Sequence, residues 1–245
     1  IDPQHFHVHH HIQQHYMSQR ASDLAWMDEV YPAREGFETL RPDWPSFKGG
    51  PCPPNAWLAW IEGRNPDYPQ RILAETGLAP AAHLTCVEAS RDEVDAGIAD
   101  YKAAGVRHIV ALRGDPPGGN GIGGGYQPRP DGYANATELT AAIARHGGME
   151  ISVGVYPEKH PESPSIEHDI DVLKAKIDAG ATRAVSQFFF DIDAFLRFRD
   201  RVRAAGITLP LTPGIMPVSN FNGLKRMSAA CGASVPDWLA AHFDG

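Results

Sequence analysis

From residue 80 onward the chain repeats one beat: a short apolar run, an amphipathic stretch, usually a glycine, then the next apolar run. A short apolar run between turn signals reads as a buried strand, and an apolar stripe recurring every three to four residues reads as a helix. Strands alternating with helices in this way fold as a parallel sheet covered by helices. The first run, Ala82–Val87, precedes Ser90-Arg91-Asp92-Glu93, a capping-box pattern that starts a helix ending at Gly105. Val106–Leu112 stops at Arg113-Gly114-Asp115, and its helix covers Ala136–His146 before Gly147. Ile151–Tyr156 leads through a proline-containing loop to Ile166–Ala179 and Gly180. Arg183–Phe190 pairs with Asp193–Ala205 and Gly206, Leu209–Ile215 precedes Asn220–Ala230, and Pro236 opens a last short helix.

Five such units fit a (βα)8 TIM barrel or a doubly wound sheet. No GxGxxG follows a first strand, which favours the barrel. The 245 residues suit one large α/β domain, since a complete barrel needs about 250. Gly121 to Gly125 lies within a long strand-to-helix loop and reads as a flexible connection.

With 22 basic against 30 acidic residues the net charge is −8, which disfavours nucleic acid and anionic membrane as partners. No apolar run nears the roughly 20 residues of a membrane helix, and no signal-peptide pattern appears. The expectation is a cytoplasmic protein acting on a small molecule, with assembly into a homo-oligomer left open. Cys52, Cys86 and Cys231 are far apart and form no CxxC pair, so reduced thiols are expected rather than disulfides or a zinc site.

The first 70 residues differ in texture. They hold six of the twelve histidines (His5, His7, His9, His10, His11 and His15) and four of the five tryptophans. No carboxylate or cysteine is spaced to complete a metal site with that histidine run, so residues 1–22 read as a disordered or tag-like tail. Residues 23–245 read as a single domain in which 43–70, proline-rich and aperiodic, are aberrant.

In a parallel barrel the reactive groups gather where strands end and the loops into the helices converge. Those ends carry His83 with Thr85, Arg113-Gly114-Asp115, Tyr156-Pro157-Glu158 with His160, Gln187 to Asp191, and Pro213 to Pro217. Polar groups at the mouths of apolar strands must offset their desolvation, and a shared ligand pocket does so at five strands at once. Loop caps and internal salt bridges are the alternative at any single position.

The strings His83-Leu-Thr-Cys86, His108-Ile-Val-Ala-Leu-Arg-Gly-Asp115, Tyr156-Pro-Glu-Lys-His-Pro161, Gln187-Phe-Phe-Phe-Asp191 and Pro213-Gly-Ile-Met-Pro-Val-Ser-Asn-Phe221 resemble, in order and spacing, the strand-end motifs of methylenetetrahydrofolate reductases over residues 71–245. The resemblance implies a (βα)8 barrel that binds FAD, accepts electrons from NADH or NADPH, and reduces 5,10-methylenetetrahydrofolate to 5-methyltetrahydrofolate, in one-carbon metabolism and methionine biosynthesis. His83, Arg113, Gly114, Asp115, Tyr133, Ala134, Gly154, Tyr156, His160, Asp169 and Lys176 match flavin-contacting positions, and Asp115 and Gln187 match positions that hold the folate pterin. Arg, Lys and His suit a pyrophosphate, and glycine backbone lets a flat ring approach closely. The reaction also needs a general acid. The resemblance is weaker over residues 28–40, where Glu29 is the candidate acid.

The pattern also departs from the family. Residues 43–70 lack its second strand and Thr-Tyr-Gly-rich loop, as if a frame-shifted or replaced interval stood there, and the chain stops at Gly245 before an eighth strand and last helix. The expectation is an incomplete barrel with five clear units and a candidate first strand, whose unclosed edges would be exposed. Asn222-Gly223 stands where a glutamine commonly contacts folate, and Met227 where a bulky apolar side chain often stacks. The rival reading is a catalytically inactive truncated or frame-shifted fragment. A flavin-free methyl-transferring pterin barrel would leave His160, Asp169 and Lys176 without a task.

Overall fold

The computed structural model describes residues 79–115, 126–218 and 220–243. The histidine-rich run, Glu29, the aberrant interval 43–70 and the Gly121–Gly125 loop all lie outside the described residues. Eleven elements follow one another: β1 (Ala81–Thr85), α1 (Arg91–Ala103), β2 (His108–Leu112), α2 (Ala136–His146), β3 (Glu150–Val155), α3 (Ile166–Asp178), β4 (Arg183–Phe188), α4 (Ile192–Ala204), β5 (Leu211–Gly214), α5 (Phe221–Cys231) and α6 (Asp237–Phe243).

All four strand pairings are parallel, and the strand order is the chain order, β1-β2-β3-β4-β5. A doubly wound sheet reverses its order at a switch point, whereas a barrel does not. These five units therefore have the topology of part of a (βα)8 barrel. Right-handed crossovers between neighbours put the helices on one face. Strand alternation agrees: Ala82, Leu84, Ile109, Ala111, Ile151, Val153, Val155 and Ala184 enter one core with Ile98, Leu139, Ile143, Leu173, Phe198 and Val202 from α1 to α4. The opposite face carries His83, Thr85, His108, Ser152, Gly154 and Arg183, with His108 Nε2 and Ser152 Oγ 2.7 Å apart.

The helix starts are capped as the sequence predicts. Ser90 accepts from the Glu93 amide while the Glu93 carboxylate accepts from the Ser90 amide, completing the capping box. The recurring glycine has a structural reason as well. At Gly105, Gly180 and Gly206 the glycine N–H bonds to the carbonyl three residues back, and the following N–H bonds to the carbonyl five residues back. That Schellman pairing ends a helix and redirects the chain into the next strand. It also trims the expected strands: Val106 spends its amide on Tyr101, so β2 begins at His108.

At the far edge β5 approaches β4 through a bulge between Val185 and Phe188. The Gly214 amide donates to Ser186 Oγ at 2.8 Å, and a Cβ placed on Gly214 would stand 2.2 Å from the Ser186 carbonyl oxygen. Among the described residues no helix is long and apolar enough to cross a membrane.

Two glycine substitutions should separate sterics from chain entropy. Gly214→Ala drives a methyl into backbone and should cost at least about 2 kcal/mol in urea unfolding. Gly97→Ala in α1 meets nothing within 4 Å and should stabilise by about 0.5–1 kcal/mol.

Candidate active site

The second strand mouth is set by one backbone turn. Gly114 has φ +83°, and a Cβ there would lie 2.5 Å from Val87 Cγ1 and 3.0 Å from Thr85 Cβ, so only glycine fits. The Arg113 carbonyl accepts from the Val87 amide at 2.9 Å and from the Cys86 amide at 3.2 Å, tying the end of β2 to that of β1. Arg113 Nη1 then donates to Glu162 Oε2 at 2.7 Å, and Nη2 lies 3.8 Å from Asp115 Oδ1. The guanidinium also lies over the Tyr126 ring, 4.7 Å from its centroid, and the Tyr126 hydroxyl donates to the Ala134 carbonyl at 3.0 Å.

The third mouth supplies an aromatic and a histidine. The Tyr156 and His160 rings meet edge to face with centroids 4.5 Å apart. The His160 amide donates to Asp169 at 2.8 Å, and the Glu162 amide donates to His160 Nδ1 at 3.1 Å. Nδ1 is thus an acceptor, which leaves the proton of the neutral ring on Nε2. Burial holds His160 below its ordinary pKa, opposed by Glu162 and Asp169, so the neutral donor form is favoured. From α3, Lys176 Nζ donates to the Gly154 carbonyl at 2.9 Å. Burial lowers this ammonium to about 8, with Asp169 opposing the shift and Arg113 adding to it.

The fourth mouth places Gln187 beside Tyr156. Gln187 Oε1 accepts from the Phe188 amide at 2.9 Å, which turns the NH2 end of the amide toward other partners, and the side chain is within hydrogen-bonding reach of the Tyr156 hydroxyl. Burial, then Cys231 and Asp115, hold the Tyr156 phenol above its ordinary value. Burial and the nearby Asp115 push the Cys231 thiol up to about 12, so it is a packing group rather than a nucleophile. Asp115, Tyr156, Gln187 and Cys231 therefore lie close enough to act on one another electrostatically.

The structure thus joins Arg113, Gly114, Asp115, Ala134, Gly154, Tyr156, His160, Asp169, Lys176 and Gln187 into one network across the ends of β2, β3 and β4. Tyr133 stands apart: its ring is buried in the core and its hydroxyl donates to Asp95 at 2.8 Å and accepts from Arg145 at 2.9 Å. Any ligand contact there falls to its backbone. His83 is buried on the inner face of β1, opposite Val110 and one pleat below Thr85. Met227 packs with Phe188 and Cys231, while the Gly223 amide caps onto Asn220.

Two groups escaped sequence reasoning, and a third was named without its partner. Glu162 follows His160 by two residues and was readable only as part of the proline loop. Tyr126 borders the glycine-rich stretch. Glu158 accepts from the Ser234 amide at 3.1 Å, a pairing 76 residues apart that no local pattern announces.

Chemically the network offers two cations, a neutral imidazole N–H, an amide and a carboxylate around a strand mouth. At Gly154 a Cβ would meet only Leu112 Cδ2, at 3.7 Å, and Thr85 Oγ1 is buried without a hydrogen-bond partner among the described residues. Cations suit an anionic group, and an open backbone with an orphaned hydroxyl suits a flat heteroaromatic ring. Among the described residues no three His, Cys, Asp or Glu side chains group to hold a metal ion.

Residues 63–245 match the family model described as methylenetetrahydrofolate reductase. The match begins eight residues before Arg71, inside the stretch read as unlike the family, and does not reach Glu29. The 5,10-methylenetetrahydrofolate reductase of Pectobacterium carotovorum subsp. carotovorum is 47% identical over 174 residues, 71% of this chain and 55% of that protein. The protein of the same name from Escherichia coli (strain K12) is 46% identical over 71% of this chain and 56% of its own length. Methylenetetrahydrofolate reductase (NADH) 1 of Zea mays is 36% identical over 66% of this chain and 29% of its own length. The chain thus spans about half the length of the bacterial relatives it matches.

Lys176 gives the site a pH signature. Between pH 8 and its ordinary 10.5 the folded chain has released a proton that the unfolded chain still binds, so this residue's contribution to stability rises with pH across that window. The melting temperature of wild type relative to Lys176→Met should therefore climb from pH 8 to 10.5. A flat difference would show an ordinary, solvated lysine.

Proposed function

The chain belongs to the methylenetetrahydrofolate reductase family, and we propose from that premise that it carries out the flavin-dependent reduction of 5,10-methylenetetrahydrofolate to 5-methyltetrahydrofolate, with NADH or NADPH as electron source. The observation that supports this reading best is the cluster at neighbouring strand ends, where the Tyr156 ring meets His160, Glu162 links His160 to Arg113, and Lys176 reaches the Gly154 carbonyl. Bound FAD supplies the reaction with a carrier that takes hydride from a nicotinamide and returns it to an electrophilic carbon.

The chain's own residues hold and orient. Arg113, Lys176 and the His160 Nε2–H are the donors for the cofactor's pyrophosphate, and Asp169 keeps the His160 backbone in place through its amide. Gly114, Gly154 and the backbone at Tyr133 and Ala134 would allow the flat ring to approach closely. His83 and Tyr156 would help hold it. Asp115 accepts from the pterin's N–H groups, and Gln187, its oxygen tied to Phe188, donates to the pterin carbonyl. The proton needed by the folate nitrogen that leaves on ring opening is assigned to Glu29, outside the described residues.

Reconstituted with excess FAD, the protein should turn yellow, and anaerobic NADH should bleach the flavin band. Methylenetetrahydrofolate should then restore the colour, and Asp115→Asn should slow that second step by roughly 100-fold while leaving the bleaching within a few-fold. A chain that takes up no flavin overturns the reading; bound flavin that stays oxidised favours an inactive fragment.

A further inference from the structure

Thr85 is the last residue of β1. Its neighbours Ala82 and Leu84 enter the helix-covered core, so Thr85 and His83 lie on the inner face. In the sheet Thr85 stands opposite Leu112, whose side chain in turn faces Gly154. Its Cβ is also the atom that, with Val87, excludes a side chain from Gly114. Thr85 is thereby at the height of Arg113-Gly114-Asp115, on the face where the strand mouths converge.

Its hydroxyl has no role within the described residues. The residue is 8% exposed, Oγ1 is out of reach of solvent, and no described group hydrogen-bonds to it. A buried hydroxyl without a partner loses its water and gains nothing, and valine has nearly the same shape without that cost. The other inner-face hydroxyl of this sheet region, Ser152, is satisfied by His108.

We propose that Thr85 Oγ1 is a further ligand-binding group of this site, donating a hydrogen bond to a carbonyl oxygen or ring nitrogen of a fused heteroaromatic ring seated across the ends of β1 to β3. The inference rests on the proposed function, in which two such rings, isoalloxazine and pterin, enter the mouth. Ligand binding supplies the missing acceptor, so the cost carried by the empty protein returns as affinity.

The test compares Thr85→Val and Thr85→Ser in the full chain. Without ligand, Thr85→Val should melt roughly 2 °C or more above wild type, because an orphaned polar group is replaced by an apolar one of its shape. In fluorescence titrations Thr85→Val should bind FAD about 5- to 10-fold more weakly, while Thr85→Ser stays within about 2-fold of wild type. If FAD affinity is unchanged and the same loss appears for 5-methyltetrahydrofolate binding to the FAD-loaded chain, the acceptor is the pterin. A ligand-free Thr85→Val that melts below wild type shows a partner within the protein and overturns the inference. So does a variant with both affinities unchanged. A wild type that binds neither ligand overturns the proposed function and this inference together, whereas a wild type that binds and a variant that matches it overturn this inference alone.

Discussion

A parallel sheet whose strands follow chain order must send its crossover helices to one face, and the rest of this molecule follows from that constraint. One face is then sealed by α1 to α4 and is apolar. The other receives every remaining side chain of the strands, including the polar ones. Polar groups on that inner face have few backbone partners, because the ladder has used the strand amides and carbonyls, and they must find each other or a ligand. His108 and Ser152 find each other. Nearer the strand ends the density of charge rises, and Arg113, Asp115, Glu162, Asp169 and Lys176 form one field.

That field is arranged around two cations rather than one ion pair. Arg113 is shared by Glu162, Asp115 and the face of Tyr126, with its side chain only 22% exposed. Lys176 spends one proton on a backbone carbonyl and is depressed by burial and by Arg113 itself. Like charges kept near one another in a half-buried mouth repel, and an incoming dianion relieves both. Glu162, at 2.7 Å from Arg113, is an internal anion in the meantime. The same carboxylate's residue orders His160 through its amide, so the cation and the neutral donor are set by one loop.

Most of the fold was legible because local and global signals agree. The capping box at Ser90, the helix Ala136–His146 and the glycine-closed helix ends stand where the pattern puts them. Misread bounds have local causes. Phe188-Phe189-Phe190 is apolar throughout, so periodicity could not show that β4 ends at Phe188, where Asp191 must be free to cap α4 and the Phe189 ring stacks on Phe195. β5 is shorter than expected because its close approach to β4 confines it to Leu211–Gly214. Within the site, residues at strand ends could be read from their positions. The partners that orient them, Glu162 and Tyr126 above all, lie in loops where neither period nor capping gives a signal. Tyr133 shows the converse limit: a motif position does not say which way a ring points, and this ring is buried in the core with its hydroxyl paired to Asp95 and Arg145.

The loop carrying Tyr156 and His160 is held from a distance. Lys159 has φ 89°, a left-handed conformation that a lysine adopts at a cost, and its Nζ donates to the His160 and Ser163 carbonyls at 3.0 and 2.5 Å. Next to it, both Glu158 oxygens accept from the Ser234 amide at 3.1 Å. A Cβ on Gly232 would stand 3.2 Å from the Lys159 carbonyl oxygen and 3.4 Å from Pro161 Cγ, so the turn after α5 sits directly on this loop. Strain at one residue persists only where the surroundings over-determine it. Here the surroundings come from the turn that joins α5 to α6, so the geometry of the third strand mouth depends on a segment 76 residues further along the chain, in the same way that the second mouth depends on the end of β1.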